Sequence, residues 1–315
     1  MPVHPSQSSR FHLLDGLTSF EEAMADPASR ARLDEFMSMD EAPPAPEVHV
    51  GPAAAPGPHG DVQVRVYSPD DGAESRPGFV WMHGGAFRMG DLDMPEADRV
   101  AREVCARAGA VVVSVDYRLA VDGVTYPVPH DDVVAAVRWV RDQAAVLGID
   151  PARITVGGAS AGGNLAAGAA LRLRDDDGWQ PRGLVLAYTT THAVLPPLSA
   201  ELSALMAEVP AMLRFPPEAR VSITRNYLGG PESRADGYAM PSGAVLTGLC
   251  PVLALTAEYD DLRASAEHFT AALALAGVDV RQVLVPGMLH GFLNLHAGIG
   301  PVDRALDLVA EVVGG

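Results

Sequence analysis

At its centre the chain reads Arg153-Ile154-Thr155-Val156-Gly157-Gly158-Ala159-Ser160-Ala161-Gly162. Its first half, residues 153–157, predicts a strand, and the residues from Ala161 to Leu173 predict a helix. Between them stands Gly-x-Ser-x-Gly, the pattern of a nucleophile elbow, in which a strained turn exposes a serine at the end of a strand. Glycines tolerate the crowding in such a turn, and the dipole of the following helix stabilises developing negative charge. The pattern predicts that Ser160 is a nucleophile, although a glycine-rich packing turn would also explain the glycines.

Upstream, His83-Gly84-Gly85-Ala86 follows directly after a short apolar strand predicted over Phe79–Met82. Acyl transfer needs backbone N–H donors aimed at the tetrahedral oxyanion, and glycines permit that close approach. We predict that Gly84 and Gly85 are donors of an oxyanion hole, with the N–H of Ala161 as the third. We interpret His83 as a scaffold residue that holds this loop.

Downstream, the chain offers a base and several acids in the order Ser, Asp or Glu, His that the nucleophile elbow requires. A strand predicted over Val252–Thr256 is followed by Glu258, Asp260 and Asp261. Any of the three carboxylates can orient a histidine, and Asp260 can alternatively cap the next helix. A strand predicted over Val278–Val285 leads into a glycine-bearing loop with His290. We predict that His290 is the general base for Ser160.

Strands and helices alternate along most of the chain, which indicates an α/β protein with a mostly parallel sheet covered by helices on both faces. The alternation breaks over about 195–244, a proline-rich and mostly helical insertion. Helical patterns also occupy residues 1–45, and the Pro-, Ala- and Gly-rich residues 42–60 read as a linker. We expect a single domain with a core over about 60–194 and 245–315.

Composition excludes several classes of protein. The formal net charge of −17 argues against binding to nucleic acid or to an anionic membrane, because both need a basic surface. All 23 basic residues are arginines, and the absence of lysine excludes a Schiff-base lysine, a pyridoxal phosphate enzyme, a Walker A loop and a Ser-Lys dyad. Cys105 and Cys250 are too few for a disulfide scaffold and read as buried core residues. With no apolar run of about 18 residues and no secretory signal, we expect a cytoplasmic protein.

Four motifs carry a family resemblance: His-Gly-Gly-Ala at His83, Gly-x-Ser-Ala-Gly-Gly around Ser160, Asp-x-Leu-Arg at Asp260 and His-Gly-Phe at His290. In this order they resemble the hormone-sensitive-lipase family of bacterial carboxylesterases, from about residue 60 onward. The resemblance implies an α/β-hydrolase fold with an eight-stranded sheet, and Asp260 as the catalytic acid. It also implies a helical cap over the site, built from residues 1–45 and 195–244.

The chain departs from the family pattern at three places. Ala159 stands where the family usually has Asp before the nucleophile, but that carboxylate is not a member of the triad. Asp260-Asp261-Leu262-Arg263 replaces Asp-Pro-Leu-Arg, which bears on the choice of acid. Val121-Asp122-Gly123 follows Tyr117-Arg118-Leu119-Ala120 in place of Pro-Glu, which bears on local loop or cap contacts.

Together these patterns predict a serine carboxylesterase that hydrolyses short- to medium-chain esters without a metal or a cofactor. The expected partner is a small-molecule ester, and the sequence leaves open whether the chain forms a homodimer. An amidase, a lactonase or a tailoring hydrolase of secondary metabolism with the same triad is the alternative. A ligand-binding relative is disfavoured, because receptors that resemble this family have lost the histidine that this chain has at position 290.

Overall fold

The chain folds around one sheet. The computed structural model describes residues 2–38, 42–70 and 75–315, without the side chains of Phe20 and Glu21. In these residues eight strands pair in the order β1-β2-β4-β3-β5-β6-β7-β8. The β1–β2 and β2–β4 pairs are antiparallel, and the remaining pairs are parallel. The strands are β1 His49–Ala55, β2 Val62–Ser68, β3 Arg76–Met82, β4 Val111–Asp116, β5 Ile149–Ala159, β6 Gly183–Ala187, β7 Val252–Tyr259 and β8 Val280–Leu289. The expected mostly parallel, eight-stranded sheet is confirmed.

Helices cover both faces of this sheet. They are α1 Pro5–Ser8, α2 Phe20–Ala25, α3 Pro27–Met37, α4 Pro95–Ala108, α5 Val128–Asp142, α6 Ala161–Asp177, α7 Ala200–Met206, α8 Pro217–Leu228, α9 Arg263–Leu275 and α10 Gly300–Gly314. Alternate residues of β3 show the two layers: Phe79 and Trp81 pack with α4 and α10, whereas Val80 and Met82 pack with α5, α6 and α9. Both faces of the central strands are therefore buried, which is why they read as continuous apolar runs.

Three strands run further than the sequence predicted. β5 ends at Ala159, β7 at Tyr259 and β8 at Leu289, instead of at 157, 256 and 285. Ser160, Asp260 and His290 are consequently each the first residue after a strand. Since β5, β7 and β8 run parallel in one sheet, their carboxyl ends meet at the same edge, which is where sites form in such folds.

The predicted linker over 42–60 is wrong in part, because it contains β1. This strand pairs only with β2 at the edge of the sheet, and Pro52 lies opposite Arg65. An edge strand tolerates proline because one side of its backbone needs no partner. The neighbouring N-terminal segment, predicted as helical over 1–45, holds α1 to α3; residues 1 and 39–41 of it lie outside the described residues.

The turn between β5 and α6 is crowded by backbone. Ser160 has a positive φ of 52°. A Cβ on Gly162 would lie 2.3 Å from the carbonyl oxygens of both Met82 and His83. These are backbone atoms and cannot rotate away, so β3 approaches the start of α6 closely only because residue 162 has no side chain.

We expect Gly162→Ala to lower the free energy of unfolding by about 1–3 kcal/mol, because the added methyl group overpacks this contact. Denaturant unfolding followed by circular dichroism measures the change. Gly243→Ala is the matched control, since a Cβ there meets no atom within 4 Å. Equal stability of the two variants would contradict the proposed crowding.

Two further expectations concern the cysteines and membrane-spanning helices. Cys105 and Cys250 are buried and not disulfide-bonded, as predicted. Within residues 2–38, 42–70 and 75–315 no helix has the length and apolar character needed to cross a bilayer.

Candidate active site

The structure brings Ser160, His290 and Asp260 into one chain of hydrogen bonds. His290 Nε2 lies 2.9 Å from Ser160 Oγ, and His290 Nδ1 lies 2.8 Å from Asp260 Oδ2. In the neutral imidazole, an Nδ1–H that donates to Asp260 leaves Nε2 free to accept from the serine hydroxyl. Asp260 is itself fixed by the N–H of Leu262, which donates to Oδ1 at 2.8 Å. The arrangement can remove a proton from Ser160.

His290 sits in an apolar but negatively charged environment. The rings of Tyr188 and Phe215 meet the imidazole edge-on, with centroids 5.0 and 4.9 Å away. Burial alone lowers the pKa of His290, but the charge and hydrogen bond of Asp260 outweigh burial, and Glu96 and Asp261 add to them. The pKa of His290 therefore lies above its ordinary value.

The other two candidate acids are engaged elsewhere. Asp261 accepts from Arg214 Nη2 at 3.0 Å and from the N–H of Phe215 at 2.8 Å, so it anchors the segment whose Phe215 ring touches His290. Glu258 accepts from the N–H of Gly287 at 2.6 Å. Of the three carboxylates that the sequence offered, Asp260 is the one in contact with His290.

The predicted oxyanion donors need one correction. Gly84 is not a free donor, because its N–H donates to the buried carboxylate of Glu96 at 2.5 Å. Within the described residues no acceptor pairs with the N–H groups of Gly85 or Ala86, and the N–H of Ala161 lies in the first turn of α6, where helical N–H groups have no intrahelical acceptor. Ala86 and Ala161 line the same cavity as Ser160. The donor set that fits is Gly85, Ala86 and Ala161.

Gly85 and His83 shape this loop. Gly85 has a φ of 114°, and a Cβ there would lie 2.0 Å from the carbonyl oxygen of Met89, so only glycine fits. His83 is fully buried, stacks on Tyr117 at 4.6 Å, and places Nδ1 2.7 Å from the carbonyl oxygen of Gly84. These contacts agree with the predicted scaffold role of His83.

A cavity adjoins Ser160, which forms part of its lining. The core contributes Ala86, Phe87, Ala161, Thr190 and Leu262 to its lining. The predicted insertion over 195–244 contributes Leu195, Phe215, Arg220, Ile223, Thr224 and Met240. The cavity therefore gives a small substrate a place beside the serine, between core and insertion. Among the described residues no cluster of three or more His, Cys, Asp or Glu side chains is arranged to hold a metal ion.

Comparison with known proteins decides the family. A family model described as alpha/beta hydrolase fold matches residues 79–294, which include Ser160, Asp260, His290 and the 83–86 loop. The chain belongs to the α/β-hydrolase family. Within it, the relatives described next support the hormone-sensitive-lipase branch that the motifs resemble.

This α/β hydrolase is similar to carboxylesterase NlhH of Mycobacterium tuberculosis H37Rv, with 39% identity over 238 residues that cover 74% of this chain and 72% of the relative. It is 32% identical over 256 residues to ethyl acetate hydrolase of Pseudomonas putida, covering 79% of this chain and 77% of the relative. A solved structure, the hyperthermophilic esterase from the archaeon Pyrobaculum calidifontis, superposes with a TM-score of 0.85 at 30% identity and covers 100% of this chain and 98% of its own. The chain is a carboxylic ester hydrolase.

Sequence reasoning missed one buried acid of this hydrolase, Glu96 of α4. Its carboxylate accepts from the N–H of Gly84, from the hydroxyl of Tyr188 and from Asn294 Nδ2, the last at 3.2 Å. Three donors thus converge on a group that can only accept. Tyr188 follows β6 and Asn294 follows His290 by four residues, so Glu96 ties the 83–86 loop to both sides of the histidine. No local motif marks it, because its partners are 12 to 198 residues away.

We expect Glu96→Gln to lower the free energy of unfolding by about 1–3 kcal/mol and to slow ester turnover. Whichever way the amide points, its NH₂ faces a donor, and one of the three hydrogen bonds is lost. Thermal or denaturant unfolding together with kcat on a simple ester measures both effects. Glu311→Gln is the control, because Glu311 is exposed and pairs only at the surface with Arg281. A Glu96→Gln protein as stable as this control would contradict the anchoring role.

Proposed function

We propose that this hydrolase is a serine carboxylesterase that cleaves short- to medium-chain esters through a Ser160–His290–Asp260 triad and an acyl-enzyme. The observation that carries the proposal is the continuous hydrogen-bond chain from Ser160 Oγ through the imidazole to Asp260, open to a cavity at the serine end. The relatives establish ester hydrolysis, and this geometry supports the way in which it occurs here.

In the proposed mechanism His290 Nε2 takes the hydroxyl proton as Ser160 Oγ attacks the ester carbonyl. Asp260 holds the imidazole tautomer and stabilises the imidazolium that forms. The N–H groups of Gly85, Ala86 and Ala161 stabilise the oxyanion, each donor being worth about 2.7–4 kcal/mol of barrier. His290 then protonates the leaving alcohol, and a water activated by the same imidazole hydrolyses the acyl-enzyme.

A cap made of the N-terminal segment and the insertion over 195–244 is part of the proposal. The two segments pack on each other: Leu213 lies against the cluster of Leu14, Leu17 and Leu33. Leu213 also lies against a second cluster, which contains Val3 and Leu202 and reaches Leu289 at the end of β8. Contact on both sides supports one helical layer over the site. The core below it includes β1 in addition to the expected residues of about 60–194 and 245–315.

The preference for short to medium acyl groups follows from what fills the cavity. Bulky side chains from the insertion, among them Phe215, Ile223 and Met240, line the cavity beside Ser160 and leave little room for a long acyl chain. A relative named ethyl acetate hydrolase supports the short end of the range.

We expect kcat/KM on p-nitrophenyl esters to be highest for acyl chains from about two to eight carbons and to fall for long chains. Ser160→Ala should lower kcat by about 10⁵–10⁶-fold, because the nucleophile and its base act as a unit. Steady-state kinetics on the chain-length series measure both. Wild-type rates no higher than those of Ser160→Ala on every ester would refute the triad.

Asp260→Asn should reduce kcat by about 10³–10⁴-fold, because an amide does not stabilise the imidazolium. Asp261→Asn is the matched control one residue away, with the same chemical change but no contact with His290. It should retain most of kcat and act through the Arg214–Phe215 segment, on KM and stability. The reverse order of the two losses would identify Asp261 as the acid.

The pH profile follows from the raised pKa of His290. Only the neutral imidazole accepts the serine proton, so kcat/KM is lost as pH falls through this pKa. We expect the midpoint of the acid limb to lie above about 6.5, the ordinary value for histidine. In Asp260→Asn, which lacks the charge that raises the pKa, the limb should move to lower pH. A wild-type midpoint well below 6.5, or no shift in the variant, would contradict the assignment.

A further inference from the structure

Arg220 brings a positive charge into the cavity beside Ser160. It stands on α8, whose Ile223 and Thr224 line the same cavity. Residues three and four positions apart share one face of a helix, so α8 presents Arg220, Ile223 and Thr224 together. The guanidinium therefore belongs to the wall of the substrate cavity, although nothing in the chemistry of the triad uses it.

Among the described residues no carboxylate forms an ion pair with this guanidinium. Its Nη1 atom is buried, and within the described parts of the chain no group accepts a hydrogen bond from it. Arg214, six residues earlier, shows the usual solution, because it pairs with the buried carboxylate of Asp261. With 40 acidic residues against 23 basic ones, this chain has carboxylates in excess, yet none of those that the structure describes is paired with Arg220.

The remaining wall of the cavity offers no alternative partner of opposite charge. Among the described residues that line it, the polar side chains besides Arg220 are the hydroxyls of Ser160, Thr190 and Thr224, and the others are apolar. A buried charged donor without an acceptor is costly, and a cationic donor forms its strongest hydrogen bonds with a carboxylate. A carboxylate on a ligand in the cavity would supply the acceptor that Arg220 Nη1 lacks among the described residues.

We infer that the ester substrate carries a carboxylate, and that Arg220 binds it while Ser160 attacks the ester carbonyl. The inference rests on the proposed function and refines it, from esters in general to half-esters of dicarboxylic acids or esters of hydroxy acids. In the first class the carboxylate lies in the acyl part, and in the second it lies in the alcohol part. Both present the same group to Arg220.

Two series of matched substrates separate these sources. In the acyl series, monoethyl succinate, glutarate and adipate are compared with ethyl butyrate, pentanoate and hexanoate, which have the same acyl lengths. In the alcohol series, 6-acetoxyhexanoate is compared with hexyl acetate. The quantity measured is the ratio of kcat/KM for the charged ester to kcat/KM for its neutral counterpart, from product acid quantified by chromatography.

In Arg220→Met we expect this ratio to fall by about 10- to 100-fold in at least one series, mainly through KM. Arg220→Lys should retain part of it, because a single ammonium replaces a guanidinium that can bind through two N–H groups. Arg225→Met is the matched control: it removes an arginine from the same helix, but Arg225 is exposed, pairs with Glu232 and does not line the cavity. Its ratio should equal that of the wild type.

Binding gives a second readout that does not depend on turnover. Ser160→Ala protein should bind monoethyl adipate or 6-acetoxyhexanoate more tightly than Ser160→Ala/Arg220→Met protein in calorimetry. A ratio and an affinity that do not change with Arg220 would overturn the inference, and Ser160-dependent hydrolysis of the neutral esters would then leave the proposed function standing. Failure of the wild type on all esters, neutral and charged, would overturn both.

Discussion

The backbone of Ser160 is held at a positive φ of 52°, and the rest of the site is arranged around that turn. Its N–H donates to the carbonyl of Ala187 at the end of β6, and its carbonyl accepts from the N–H of Asn164 in α6. The turn closes only because its neighbours are small: a Cβ on Gly158 would lie 2.3 Å from the carbonyl oxygen of Gly162. With the turn fixed, the hydroxyl faces His290 on one side and the cavity on the other.

Around this turn, buried carboxylates have separate partners and therefore separate effects. Asp260 meets the imidazole, Asp261 holds the segment with Phe215 against it, and Glu96 fixes the loop of Gly84. A buried charge is tolerable only where donors satisfy it, so each acid is confined to the place where its donors are. All three act on His290 through space and raise its pKa. The pKa of His290 thus depends on all three carboxylates, whereas only Asp260 among them accepts a hydrogen bond from its ring.

The sequence predicted the parts of this site that local pattern controls. Ser160 and His290 could be predicted because the glycine-rich turn at Ser160 and the strand end before His290 are each recognisable from a few neighbouring residues. The family motifs then selected Asp260. Gly84 was assigned wrongly, because the acceptor of its N–H lies on a helix that no motif connects to the loop. β1 escaped notice because an edge strand needs no apolar alternation. No sequence pattern marks Arg220, since what distinguishes it from the other arginines is its surroundings in the folded protein.

Ser160, Asp260 and His290 each directly follow a different strand. Their order along the chain also affects when the site can form during synthesis. Ser160 and His290 are 130 residues apart in the chain, and His290 comes after β8, the edge strand that completes the sheet. Synthesis proceeds from the N-terminus, so Ser160 and the 83–86 loop are synthesised well before His290, the proposed base. Under the proposed mechanism, a nascent or truncated chain that lacks β8 and His290 has a serine without its base and does not cleave esters. Under that mechanism, a chain that hydrolyses esters is one in which the whole sheet has assembled.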